Sequence, residues 1–187
     1  MNSPGYQTAP DESGLTSNGN KIMPYTQLFY HLVWSTKNRL PLLTPQVEPV
    51  IHNYLRTKAI GLGATVFAVN GVEDHVHVVA SIPPKIAVAK FIGQIKAVAS
   101  TKFNKSAPDA PPFFWQDEYG AFTFDAKRLP NYVAYVNRQK EHHRQGTTIP
   151  ILERTNNGFP KIIKEETAVY TTEDIAWRRE LEAFENG

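Results

Sequence analysis

Two periods of apolar residues divide the chain. Period two, the alternation of a strand, and a period near 3.6, the stripe of an amphipathic helix, follow one another with turn residues between them. Tyr25 to Thr36 is aromatic and β-branched and predicts a first strand. Thr44-Pro45 supplies a cap and a proline for the first turn of a helix running to about Ile60, ended by Gly61 and Gly63. Ala64 to Asn70 and Asp74 to Ile82 read as two strands around Gly71, too close for a crossover and so an antiparallel hairpin. Lys85 to Asn104 is the longest helical pattern, with Phe91, Ile92, Ile95, Ala99 and Phe103 on one stripe. Phe113 to Gln116 and Tyr119 to Phe124 read as short aromatic strands around an Asp117-Glu118 turn. Leu129 to about Gln145 reads as one helix, with Pro130 in its first turn and Gly146 at its end.

This order predicts an α+β fold, an antiparallel sheet with helices packed on one face. Residues 1–22 are rich in Ser, Gly, Asn and Pro, bury too little to offset ordering entropy, and are expected to be a disordered tail. Residues 23–148 form the domain. Residues 149–187 read as an extension whose role is open, with a charged helix from Ile175 to Phe184 capped by Thr171-Thr172-Glu173-Asp174.

Charge sharpens this picture. The net charge is only +2, but residues 21–146 hold 15 Lys and Arg against 8 Asp and Glu, a surplus of +7 set against −2 before and −3 after. A basic body with acidic ends suits a polyanionic partner such as nucleic acid. There is no cysteine, which excludes disulfides and thiolate metal sites. No apolar run of membrane-spanning length and no leader pattern occurs, so a soluble cytoplasmic protein without a membrane partner is expected.

The candidate chemistry lies in two of these elements. His75 and His77 stand two apart in a β-branched run, so both imidazoles project from one face of a strand and make half of a metal site. On the last helix, Tyr135 and Gln139 share a face, placing a hydroxyl and a neutral oxygen ligand where they can approach the same ion; Tyr132, one turn earlier, could share the face but hardly the ion. Asp74, beside the first histidine, can orient it. Lys90 and Lys96 belong to a lysine series on the long helix, read either as a solvated face or as a phosphate-tracking surface. Trp115, Phe122 and Phe124 are read as core or as platforms for unpaired bases. A histidine-triad hydrolase would need a third alternating histidine where Val79 stands, and a two-histidine phosphoesterase would need a second H-x-[ST] copy.

Four segments in order resemble the single-tyrosine transposases of the HUH endonuclease superfamily, which move single-stranded insertion sequences, and their REP-associated relatives. They are Phe29-Tyr30-His31-Leu32-Val33-Trp34-Ser35-Thr36-Lys37-Asn38-Arg39, Glu73-Asp74-His75-Val76-His77, Phe114-Trp115-Gln116-Asp117-Glu118-Tyr119, and Tyr135-Val136-Asn137-Arg138-Gln139 with His142-His143. The resemblance covers about Tyr25 to Gln145. It implies a ferredoxin-like, palm-like fold. It also implies a metal site of His75, His77 and Gln139, with Tyr135 rather than Tyr132 as nucleophile, and His143 and Arg138 near the site or the DNA. The ion it implies is Mg²⁺, with Mn²⁺ able to substitute. The activity it implies is cleavage and rejoining of single-stranded, hairpin-containing DNA through a 5′-phosphotyrosine, by a homodimer. A domesticated protein that only binds REP-type hairpin DNA and a replication-initiator-like nickase are the alternatives that share these residues.

Overall fold

The computed structural model describes residues 25–155. The expectations for the N-terminal tail and for the helix at Ile175 to Phe184 lie outside the described residues.

Four antiparallel strands, β1 (Phe29–Ser35), β2 (Thr65–Val72), β3 (His75–Ser81) and β4 (Gly120–Phe124), form one sheet in the order β2-β3-β1-β4. The β2–β3 hairpin is as expected, with a bulge between Val66 and Ala68. Its turn, however, falls at Glu73-Asp74, and Gly71 lies inside β2 opposite Val76. There the backbones approach so closely that a Cβ on Gly71 would sit 2.1 Å from the His75 carbonyl oxygen. Gly71→Ala should therefore cost roughly 2–3 kcal/mol by forcing the hairpin apart beside His75. Thermal melting should register this as a Tm lowered by about 5–10 °C.

The expected helical layer on one face is formed by α1 (Glu48–Gly61) and α2 (Val88–Ser106). Leu32, Trp34, Val76, Val78 and Ala80 point to that side and share a core with Ile51, Leu55, Phe91, Ile92 and Ile95. Period two sends the alternate side chains the other way. Val79 joins Ala68, Phe124, Tyr132, Tyr135, Val136 and Leu152 in a second core on the opposite face, beneath α3 (Leu129–Asn137). The sheet is thus covered on both sides, and the histidine face is the smaller one.

The predicted single helix from Leu129 to Gln145 is two. Arg138 leaves helical geometry (φ −102°, ψ 18°) and separates α3 from α4 (Gln139–Gln145), which Gly146 closes with φ 67°. The strand predicted at Phe113 to Gln116 reduces to one bridge, Thr36 to Trp115. From Ile149 the chain turns back over the sheet. Leu152 is buried, and the Arg154 carbonyl lies where a Cβ on Gly120 would be, 2.1 Å away.

His52 on α1 is largely covered. Burial pushes its pKa down to about 4; Glu48 partly opposes this, and Lys140 and Arg56 add to it. A folded pKa below the ordinary 6.5 means that the unfolded chain takes up the proton first. Stability should be full above pH 6.5 and fall by up to about 3 kcal/mol as the pH drops towards 4. Chemical denaturation of His52→Gln across this range should show a flatter profile. None of the described helices is long and apolar enough to cross a membrane.

Candidate active site

The two histidines open β3 and face α3, fully or almost fully buried. Each is anchored through Nδ1. The His75 Nδ1 lies 2.6 Å from Asp74 Oδ1, and Arg39 holds the other Asp74 oxygen at 2.9 Å. The His77 Nδ1 lies 2.9 Å from His31 Nε2. These anchors aim both Nε2 atoms at one point, occupied by Glu153 Oε2 at 3.1 Å from each. The contact with His77 is a hydrogen bond; that with His75 is close but poorly aligned, and its Nε2 makes no full hydrogen bond. His143 Nε2 is 3.6 Å from the same oxygen, and its ring is 4.8 Å from that of His75.

Tyr135 reaches the site from α3, 1 % exposed. Its hydroxyl donates to Glu153 Oε1 and accepts from the Ile149 N–H at 3.0 Å. Gln139 is fully buried, and neither amide atom has a hydrogen-bond partner, although it lies near enough to Tyr135 to favour the phenolate. An unpaired buried amide is costly, and a bound ion or water at this point would satisfy it.

Electrostatics follow from this geometry. Burial alone would raise the Glu153 carboxyl, but the close His75 imidazole and the hydrogen bond from His77 hold it far below the usual carboxylate range. Burial would lower His75, but Asp74 and Glu153 outweigh it and raise the imidazole. His77 and His31 are both lowered, chiefly by burial. Tyr135 is raised by burial and by the Glu153 charge. Asp74 is drawn down to about 2, mainly by its bond to His75.

The structure brings together His75, His77, Tyr135, Gln139, Asp74 and His143. It corrects two other expectations. Trp115 offers no platform to DNA: it is buried, edge-on to Trp34 at 5.8 Å and to Phe113 at 4.6 Å. Lys96 tracks no phosphate, because its ammonium is turned inward and caps the carbonyls of Gln116 and Asp117 at 2.6 and 3.1 Å. Lys90 is exposed on α2, across the sheet from the histidines, and Arg138 is exposed at the α3–α4 break. Tyr132 is buried, stacks on Phe124 with ring centres 4.0 Å apart and lies 5.8 Å from the His31 ring, while the hydrogen bond to Glu153 comes from Tyr135.

Two residues of the site escape sequence reasoning. His31 reads as a lone packed histidine, and only the β1–β3 register puts it diagonal to His77. Glu153 lies in the stretch read as an extension. It adds a carboxylate to a ligand set that the sequence gives as two imidazoles and an amide, so that His75, His77 and Glu153 can together hold a metal ion.

A four-stranded antiparallel sheet with an H-x-H pair on a central strand, facing a tyrosine on a covering helix, is the architecture of the single-tyrosine HUH class. Residues 24–139 match the family described as IS200-like transposases, and the chain belongs to that family. It is 29 % identical over 89 residues to the ISDra2 transposase TnpA of Deinococcus radiodurans, covering 48 % of this chain and 64 % of that one. It is 24 % identical over 127 residues to the transposase for insertion sequence element IS200 of Salmonella typhimurium, covering 65 % of this chain and 83 % of that one. A solved Deinococcus radiodurans structure described as a transposase superposes with a TM-score of 0.51 at 23 % identity, over 64 % of this chain and 97 % of that one, a likeness of fold.

Proposed function

We propose that this protein is a metal-dependent transposase that cuts and rejoins single-stranded DNA through a covalent bond between Tyr135 and a 5′-phosphate. The observation that carries the reading is the convergence of His75, His77 and Tyr135 on one point, with the unpaired amide of Gln139 buried beside it.

The donor set fits a divalent cation. A liganding imidazole ordinarily gives its second N–H to an acceptor behind it, and both histidines have such a partner, Asp74 for His75 and His31 for His77. With its Nε2 lone pair free for an ion, His77 carries its proton on Nδ1 and donates it to His31 Nε2, which leaves the His31 proton on Nδ1. His75, His77 and Glu153, with Gln139, would hold the ion; the imidazoles favour transition ions, the carboxylate and amide oxygens suit Mg²⁺ or Mn²⁺, and Mg²⁺ is the ion that the family resemblance implies. Such an ion supplies Lewis acidity at a non-bridging phosphate oxygen.

In the reaction, the Tyr135 oxygen attacks phosphorus, the bond to the 3′-oxygen breaks, and a phosphotyrosine and a free 3′-hydroxyl result. The hydroxyl proton passes by way of its hydrogen bond to Glu153 to water, and the departing 3′-oxygen takes a proton from water. Attack of a 3′-hydroxyl on the phosphotyrosine reverses the step and rejoins a strand without an external energy source. Hairpin-containing DNA as substrate and a homodimeric state belong to the same proposal. They rest on the family resemblance.

The test is incubation with single-stranded oligonucleotides from both flanks of the gene, with Mg²⁺ or Mn²⁺. A protein–DNA adduct that survives denaturation is expected, and tight hairpin binding with no adduct would replace the proposal with a DNA-binding role alone.

A further inference from the structure

Beside the histidines, β1 ends in a segment held in an uncommon conformation. Asn38 and Arg39 both have positive φ, 54° and 52°, although neither is glycine. Two successive non-glycine residues in this region cost energy, and such strain persists where the surroundings enforce it, most often at functional sites. The enforcing contacts are specific. The Thr36 hydroxyl donates to the Leu40 carbonyl at 2.6 Å, the Arg39 N–H bonds to the Thr36 carbonyl at 3.1 Å, and the Asn38 N–H donates to Gln116 Oε1 at 3.2 Å.

The result is an open pocket of about 300 Å³ lined by Ser35, Asn38, Arg39, Gln116, Glu118 and Thr155. This is the small end of the usual range for ligand sites. It adjoins the candidate active site at three points. Ser35 pairs with His75 across the sheet, Arg39 binds the carboxylate that anchors His75, and Thr155 follows Glu153 by two residues. Its walls are also fixed from behind, because the buried Lys96 ammonium clamps the Gln116 and Asp117 carbonyls.

The lining chemistry discriminates between ligands. A pure phosphate site would not carry an exposed carboxylate, yet Glu118 is here, and every lining side chain is polar, which does not favour an apolar ligand. Two amides, a guanidinium, a carboxylate and hydroxyls offer donors and acceptors together, which suits the hydrogen-bonding edge of a nucleobase. The neighbouring side chains suit the rest of a nucleotide. Phe114 and Tyr119 are exposed aromatics, 53 % and 37 % accessible, in the segment that carries Gln116 and Glu118. The Lys37 N–H binds the Phe114 carbonyl at 2.9 Å, which places an exposed lysine alongside. Aromatic faces stack on unpaired bases and lysine neutralises the phosphates between them.

We propose that this pocket receives one unpaired nucleobase of the strand next to the bond being cut and reads its edge with Asn38, Arg39, Gln116 and Glu118, so that the protein selects the base flanking its cleavage point. The inference rests on the nuclease reading above, and its test separates the two.

Single-stranded oligonucleotides carrying the reactive junction are made with each of the four bases at every position within three of the cut. Adduct formation is timed for the wild type, Gln116→Ala and Glu118→Gln. In parallel, binding of the same oligonucleotides is measured by fluorescence anisotropy without added metal. One flanking position should discriminate by about 5- to 150-fold, the range of a good base contact. Both variants should flatten that preference to within about threefold in rate and in affinity while still reacting. Glu118 is fully exposed, so its replacement leaves folding intact and serves as the check on Gln116→Ala. A preference that survives in both variants, or no preference at any flanking position, overturns the inference. If the wild type forms no adduct, the nuclease reading fails by itself, and binding of the flank oligonucleotides with each position varied in turn still decides whether the pocket selects a base.

Discussion

Replacing Tyr135 by Phe is expected to abolish the covalent adduct, by about 10⁴-fold or more, and to leave DNA binding intact. The change removes one oxygen from a ring that stays where it is, because Tyr135 packs in the same core as Val136, Tyr132 and Leu152. What disappears is the only phenolic oxygen that the described residues present to Glu153. Tyr132→Phe is the control. That ring stacks on Phe124, and its loss of a hydroxyl should leave adduct formation within a few-fold of the wild type. Denaturing gels of labelled oligonucleotide read both variants at once. An adduct retained in Tyr135→Phe and lost in Tyr132→Phe would transfer the nucleophile three residues earlier.

The second large effect is expected at Glu153. Its carboxylate stands between both imidazoles and the tyrosine hydroxyl, so Glu153→Gln keeps the volume but removes the only carboxylate that the described residues bring to that point. Affinity for Mn²⁺ should fall by at least about ten- to a hundredfold. The thermal readout needs no DNA. At an ion concentration 100 times the wild-type Kd, the ion stabilises the protein by about 2.7 kcal/mol, and a hundredfold weaker site leaves only about 0.4 kcal/mol. An Mn²⁺-induced shift in Tm equal to that of the wild type would place Glu153 outside the metal site.

What the sequence makes legible, and what it hides, has a physical pattern. The histidine pair is readable because a strand's period of two forces His75 and His77 onto one face whatever the rest of the chain does. The long helices are readable because their apolar stripes are long, and the hairpin because its loop is short. Glu153 is hidden: it lies 76 residues from His77, in a stretch with no periodicity to place it. His31 is hidden for the same reason, since its partner is set by the register between strands distant in sequence. Lys96 and Trp115 mislead because composition marks them as binding groups. A lysine stem can turn inward when loop carbonyls wait for its charge, and an indole is core whenever another ring offers an edge. The interruption at Arg138 has no proline or glycine to announce it.

That interruption has a mechanical side. A continuous helix carries its side chains as one stiff rod, whereas a rod with a joint lets its two arms respond separately to force. The arm bearing Tyr135 is bolted down, with Tyr132 and Val136 sunk beside it. The other arm sinks only Gln139 itself and is held at its rim by polar contacts, Lys140 to Glu48 at 2.6 Å and the His142 ring 4.9 Å from that of Tyr135. Of the two groups delivered from this region, the hydroxyl is fixed by a packed core and the amide by contacts at the surface, which a charged strand can compete for.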